Sequence, residues 1–412
     1  MSQDIQLSSV LWFQSMRHEA TLGATQVLIV AGEASGDTYA AELVIALRQK
    51  GNEPRLSFFG CGGDRMRRAG VETIVDIRKL AVLGPLEVLS HLWHLYTALD
   101  ALAREARKRR PFLAILVDFP DFNLRLARHL KAMGIPIIYF ISPQLWAWRS
   151  GRVRQIKALI DRMIVILPFE KEFYAKLDME VDYVGHPLVD RVSPTQSRKD
   201  FVEKHGLDSA NPIISLLPGS RTKEVKFHLP ILLETARNLA AESSVQFVVP
   251  LASTVSYNLV ESIWQGEAPL LGLKIIEGET YDAVASSDLA VVASGTATLE
   301  TALLGTPLIA VFRISNLTWI IGQYLVNVPH YCLVNLIAGK RLVAELYQND
   351  FTPQQLYQEI KRLLEDSALR NNVRIELSQL RWRLGGGGAI EKAAGKIWEW
   401  VQAQYRSSGS GA

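Results

Sequence analysis

The feature that most constrains this chain is a recurring unit in which a short, continuous apolar run stops at a turn-forming residue and helical spacing follows. Val27-Leu28-Ile29-Val30-Ala31 ends at Gly32, and from Asp37 onward Leu43 and Leu47 fall one helical turn apart before Gly51. The unit recurs at 112–117 followed by 121–133, at 135–141 followed by a helix near Val153, and at 163–167 followed by 170–177. Strands apolar at every position are buried on both faces, so this alternation predicts parallel sheets covered by helices on both sides. The runs stop around 190–200, where Pro194, Thr195, Gln196, Ser197, Arg198 and Lys199 stand in a row, and restart at 213–217, 245–250, 273–276, 289–293 and 308–312.

The expected architecture is therefore α/β, with two Rossmann-like parallel-sheet domains facing a cleft. The division predicted is a loose extension at 1–25, a first domain at 26–192, a linker at 193–200, a second domain at 201–384, a terminal helix at 385–405 that can pack back on the first domain, and a flexible tail at 406–412. A length of 412 residues suits two or three domains, and 48% apolar with 21% charged residues suits a sizeable core and excludes a disordered chain. Forty-five Lys and Arg against 42 Asp and Glu leave +3, too little to hold nucleic acid by charge alone. Cys61 and Cys332 form neither a CxxC nor a zinc spacing, which points to a reducing compartment and no structural metal. No apolar window reaches about 18 residues, and the longest early run, Val10 to Phe13, is too short for a signal peptide. A cytoplasmic protein follows as the expectation, with attachment to a membrane surface left open.

Ligands of such folds sit at the carboxyl ends of strands, and five loops there can carry chemistry. Gly32-Glu33-Ala34-Ser35-Gly36-Asp37 lets backbone approach a ligand at a helix start, although it reads equally as a plain turn with Asp37 as N-cap. Asp118, in Val117-Asp118-Phe119-Pro120-Asp121-Phe122-Asn123, ends an apolar strand. A carboxylate is costly to bury there unless used, and flanking Phe rings would lift its pKa toward that of a general base. A capped turn, with Asp121 as N-cap, accounts for the same spacing, and no neighbouring His or third carboxylate supports a metal. Trp146 and Trp148 either wall a cleft or pack between domains. Leu217-Pro218-Gly219-Ser220-Arg221 reads as a diphosphate cradle, with Gly219 and Ser220 freeing backbone donors and Arg221 presenting a charged fork, or as a turn with a surface Arg. Ser294-Gly295-Thr296-Ala297-Thr298-Leu299-Glu300 opens a helix as a second anion site, where Glu300 can accept from ribose hydroxyls or merely complement the helix dipole.

These segments, in this order, resemble the lipid-A-disaccharide synthase family of the glycosyltransferase-B superfamily. The most specific pieces are 31–37, Trp146-Ala147-Trp148-Arg149, 217–221 and 294–297. The resemblance implies transfer of a diacylglucosamine unit from UDP-2,3-diacylglucosamine to 2,3-diacylglucosamine 1-phosphate, giving a β-1,6-linked disaccharide and UDP by inversion, with no metal and no cofactor. It implies that Asp118 is the base, that Arg221 steadies the departing diphosphate, and that Gly32, Glu33, Ser35, Gly36, Asp37, Gly219, Ser220, Ser294, Gly295, Thr296, Ala297 and Glu300 bind substrate. Asn335, in Asn335-Leu336-Ile337-Ala338-Gly339, is carried over as an active-site polar group, with Val334 where the family has Pro. A peripheral position on the cytoplasmic face of the inner membrane is expected with it, and the last helices are candidates for exchange in a homodimer.

A lipid substrate also agrees with a feature independent of that resemblance. Between Val82 and Leu102 the only charges are Glu87 and Asp100, and two apolar stripes run along one helix: Leu86, Leu89, Trp93, Tyr96 and Val88, Leu92, Leu95, Leu99, Leu102. One core cannot take both stripes, and Arg104, Arg107, Lys108, Arg109 and Arg110 follow as a group suited to an anionic membrane surface. A buried helix ending in a solvated basic turn is the other reading. Competing functions are a UDP-sugar 2-epimerase of the same fold and a non-catalytic protein binding nucleotide and lipid.

Overall fold

A computed structural model describes residues 25–50, 55–80, 88–148, 153–266, 272–315, 319 and 328–407. The extension before Thr25, Leu86, Arg149 and the tail beyond Ser407 lie outside the described residues, as do the side chains of Val88, Leu89, Leu92 and Trp148. The chain forms two compact units, one running to Pro187 and resuming at Gly388, the other spanning Leu188–Gly387.

The first unit is built on seven parallel strands: β1 (Thr25–Ala31), β2 (Leu56–Gly62), β3 (Glu72–Asp76), β4 (Leu113–Val117), β5 (Ile137–Phe140), β6 (Arg162–Val165) and β7 (Asp182–Tyr183). Their order is β3-β2-β1-β4-β5-β6-β7, so the strand order reverses between β1 and β4. All of β4 and β5 is buried, as their unbroken apolar sequences require. The terminal helix Ala389–Ser407 lies on the helix Ala34–Lys50, burying Ile390, Ala394, Ile397 and Val401, and Trp400 meets Phe112 edge-on at 6.4 Å.

The second unit repeats the plan with β8 (Ile213–Leu217), β9 (Gln246–Leu251), β10 (Leu273–Glu277), β11 (Leu289–Ala293), β12 (Leu308–Phe312) and β13 (Ala344–Tyr347), in the order β10-β9-β8-β11-β12-β13. Its reversal falls between β8 and β11. The polar segment at 193–200 is fastened to this sheet's helix Thr280–Ala285. The amide and hydroxyl of Thr195 both donate to Asp282, at 2.6 and 2.8 Å, and Arg198 reaches the Ser286 carbonyl at 2.8 Å.

Four strands carry weak signals in the sequence. In β2, Ser57, Gly60 and Gly62 interrupt the apolar run, β3 alternates as an edge strand, β7 has two residues, and Glu345 breaks β13. Two caps also differ from expectation. Asp37 lies inside a helix that already begins at Ala34, and Asp121 lies inside one that begins at Pro120 with Phe119 as N-cap.

Candidate active site

In the first unit Ala31 pairs with Val117, so the loops beginning at Gly32 and Asp118 leave the sheet side by side at the reversal. Asp118 and Phe119 both adopt left-handed backbone, with φ of 46° and 51°, a conformation that costs L-residues energy. Room for this turn comes from Gly32: a Cβ there would stand 2.1 Å from the Phe119 ring. The Asp118 carbonyl accepts from the Asn123 amide at 2.7 Å and from the Tyr139 hydroxyl at 2.6 Å. Burial, and then the Glu33 carboxylate, push the Asp118 carboxyl up to about 6, against the opposing pull of the Phe119 amide. Glu33 and Ser35 are exposed, while Gly36 is buried with its α-carbon face close to Ala31.

Asp37 is engaged by protein backbone. Its buried carboxylate accepts the amides of Gly63, Arg65 and Met66, so it serves the start of the helix Asp64–Arg68. Those bonds use both of its oxygens on protein backbone. Asp121 likewise is not the N-cap, and Phe119 supplies no side-chain cap in its place.

Among the described residues of this unit, two carboxyls are pushed up by burial. The second, Glu170, is buried and accepts the amides of Ile166 and Leu167 at 3.2 and 2.9 Å. Burial pushes it up to about 7 despite those bonds, with Asp118 adding to the effect. Trp146 is half-buried and meets Phe169 edge-on at 4.9 Å. Nearby in the chain, Ser142 and Tyr174 share a 2.6 Å hydrogen bond. Glu170 gave no signal in the sequence beyond an acidic residue in a helix's first turn.

In the second unit Leu217 pairs with Val292, and the loops after β8 and β11 border a cavity of about 1020 Å³. Gly219, Ser220, Arg221, Ser294, Gly295, Thr296, Ala297 and Glu300 all line it. Its size suits a nucleotide sugar. Arg221 projects into solvent with 81% of its side chain exposed. The backbone donors beside it are not free, contrary to the cradle reading: Glu224 accepts the amides of Ser220 and Arg221 at 3.0 and 3.3 Å. Gly219, at φ 123°, is required because a Cβ would stand 2.6 Å from the Glu224 Cβ. Thr254 further braces the loop by donating to the Ser220 carbonyl at 2.6 Å.

The loop after β11 differs. Gly295 is the N-cap of the helix Thr296–Leu303 and offers no capping side chain, and Gly295, Thr296 and Ala297 all border the cavity. Glu300 accepts from the Tyr281 hydroxyl at 2.8 Å through Oε1. Tyr281, which the sequence did not flag, thereby fixes the orientation of that carboxylate.

Asn335 is buried and does not border this cavity. Its amide nitrogen donates to the Val343 carbonyl and to Glu345, at 2.9 and 2.6 Å, and its oxygen accepts the amides of Leu342 and Val343, at 2.8 and 2.9 Å. An Asn side chain has two donors and two acceptor sites, and all four are filled. Together these bonds staple the loop before β13. Among the described residues, no three His, Cys, Asp or Glu side chains gather closely enough to hold a metal ion.

The profile of the family described as lipid-A-disaccharide synthetase matches residues 27–386. A relative in Myxococcus xanthus, a lipid-A-disaccharide synthase, is 45% identical over 377 residues, covering 91% of this chain and 97% of that one. Among solved structures, the UDP-GlcNAc 2-epimerase of Neisseria meningitidis bound to UDP-GlcNAc superposes with a TM-score of 0.61 at 13% identity, covering 91% of this chain and 100% of its own. The calicheamicin glycosyltransferase CalG4 gives 0.58 at 15% identity, covering 92% and 99%. Likeness at that identity is likeness of fold, here the glycosyltransferase-B fold.

Proposed function

Since the chain belongs to the lipid-A-disaccharide synthetase family and is thus a hexosyltransferase of lipid A biosynthesis, we propose that it joins UDP-2,3-diacylglucosamine to 2,3-diacylglucosamine 1-phosphate. The epimerase alternative has only fold similarity behind it, at 13% identity, against 45% identity to a transferase.

Asp118 takes the proton of the acceptor hydroxyl as that oxygen attacks the anomeric carbon. The bond from that carbon to the UDP oxygen breaks on the opposite face, and the configuration inverts. At neutral pH a carboxyl held at about 6 is mostly ionised yet more basic than an ordinary aspartate, which suits a base acting on an alcohol. Arg221 carries the charge that develops on the leaving diphosphate. The open amides at 295–297 hold phosphate, and the free oxygen of Glu300 takes a ribose hydroxyl. Glu33 and Ser35 meet the acceptor sugar, while Asp37 and Asn335 keep their loops in shape.

Acyl chains imply a lipid surface. On the helix Val88–Arg109, Leu99 packs on the core and Ala98, Leu102 and Ala106 are buried, whereas Trp93 and Tyr96 are each 66% exposed. Among the described residues of the double stripe Trp93 and Tyr96 are the exposed ones, and we assign them to the membrane interface. Arg107, Lys108 and Arg110 are exposed at the far end of the helix, but Arg109 is engaged by Glu72 and Glu105 and is not a headgroup ligand. No helix among the described residues is long and apolar enough to cross a bilayer.

The observation that carries the catalytic reading is the half-buried, raised carboxyl of Asp118 on a strained turn at the sheet's reversal. Incubation with the two lipid monosaccharides tests the reaction: disaccharide and UDP should appear in equal amounts. Free UDP without disaccharide, or epimerised UDP-sugar, would reject it.

A further inference from the structure

Two buried side chains outside the residues implied by the family converge on one backbone atom of Asp118. Asn123 and Tyr139 are both fully buried, one on the following helix and the other on the neighbouring strand β5. Both donate to the Asp118 carbonyl, at 2.7 and 2.6 Å, and the Asn123 amide also reaches the Val117 carbonyl at 3.3 Å. That orientation of Asn123 leaves its own Oδ1 buried without a hydrogen-bond partner. A reversed amide would set oxygen against the Asp118 carbonyl oxygen, so the donating orientation is the one the site enforces. A buried acceptor left unpaired costs stability. A side chain that serves packing alone would be replaced without loss by an apolar one.

The turn these groups hold is the strained one. Asp118 and Phe119 are successive non-glycine residues in left-handed backbone, a conformation that is costly for Phe119 above all. With φ and ψ of Asp118 fixed by its carbonyl, the direction of its Cα–Cβ bond is fixed as well, and so is the arc its carboxylate can reach. We propose that Asn123 and Tyr139 are positioning residues that clamp the Asp118 carbonyl and thereby aim its carboxylate at the acceptor hydroxyl. The proposal rests on the reading of Asp118 as the base and deepens it.

The test uses the full chain and the two lipid monosaccharides, with kcat and KM followed from pH 5 to 9 for Asn123→Ala, Tyr139→Phe and the double variant, and thermal melting as a check on folding. Each single change should lower kcat about tenfold and the pair about a hundredfold, with KM for either substrate within about twofold, because aim rather than binding is lost. The inflection of the kcat profile should move in the variants, since the carboxylate leaves its half-buried setting. In an Asp118→Ala background neither change should lower the residual rate further. Unchanged kcat in the double variant, a loss carried by KM, or the same fold-loss recurring without Asp118 would overturn the proposal. If Asn123→Ala does not fold, Tyr139→Phe, which keeps the ring, decides alone on the same criteria. Wild-type turnover in Asp118→Ala would reject the base assignment itself, a result separable from failure of the clamp.

Discussion

The carboxylate of Asp37 accepts the amide of Gly63 at 2.6 Å, joining the first strand–helix turn of the chain to the second. With the amides of Arg65 and Met66 also on it, Asp37 supplies the N-terminal cap that the short helix Asp64–Arg68 lacks from its own N-cap residue, Gly63. Asp37→Ala should therefore lower stability by about 1–3 kcal/mol, seen as an earlier denaturant midpoint. In the fraction that stays folded, KM for donor and acceptor should hold. A raised KM with an unshifted midpoint would restore Asp37 to the substrate.

As the proposed base, Asp118 should give the rate its acid limb. Turnover requires the ionised carboxylate, so kcat should fall about tenfold per pH unit below about 6, and Asp118→Asn should lose roughly two to four orders of magnitude. Stability runs the other way. The folded chain holds this proton up to about 6 while an unfolded Asp gives it up near 3.8, so stability declines as pH rises between those values and stays lower above them. At pH 8 Asp118→Asn should consequently be more stable than the parent, by about 1–3 kcal/mol. An inactive variant with an unchanged or lower midpoint at pH 8 would mean that the carboxyl is not held at a cost.

Arg221 should separate catalysis from folding. Its side chain is 81% exposed and its ion pair with Glu224 is long, at 3.4 Å. Arg221→Ala should leave the melting temperature nearly unmoved and lower kcat by roughly two to three orders of magnitude, as expected for loss of charge stabilisation at a leaving diphosphate. Loss confined to KM would make Arg221 a binding group only.

The face formed by Trp93 and Tyr96, whose rings lie 6.4 Å apart, should be separable from the core face of the same helix. Replacing both with Ser should weaken sedimentation with anionic vesicles and leave the melting temperature in place. Leu102→Ala should instead destabilise by about 2–4 kcal/mol without a specific effect on vesicle binding. Equal vesicle binding by the Trp93, Tyr96 double variant would remove this face from the membrane.

Strands buried on both faces were legible because burial leaves a continuous apolar signature: β8, β11 and β12 begin and end where their apolar runs do. β2 was not, because Gly60 answers to the Ile29 backbone on β1 and Gly62 to the Met66 side chain, neither of which shows in the run itself. The loops that line the second unit's cavity could be placed, since turn residues after such strands mark carboxyl ends. Which atoms within them are available could not. Asn335 reads as a polar group near a glycine, and only the fold brings Leu342, Val343 and Glu345 around it. Asn123 and Tyr139 carry no motif of their own, because what unites them is one carbonyl oxygen approached from two elements.

Glu224 sits where an incoming anion would otherwise find the amides of Ser220 and Arg221. The loop therefore has its shape before any nucleotide arrives. Bonds internal to the loop hold its backbone, and the Arg221 side chain is left projecting from a wall that is already built.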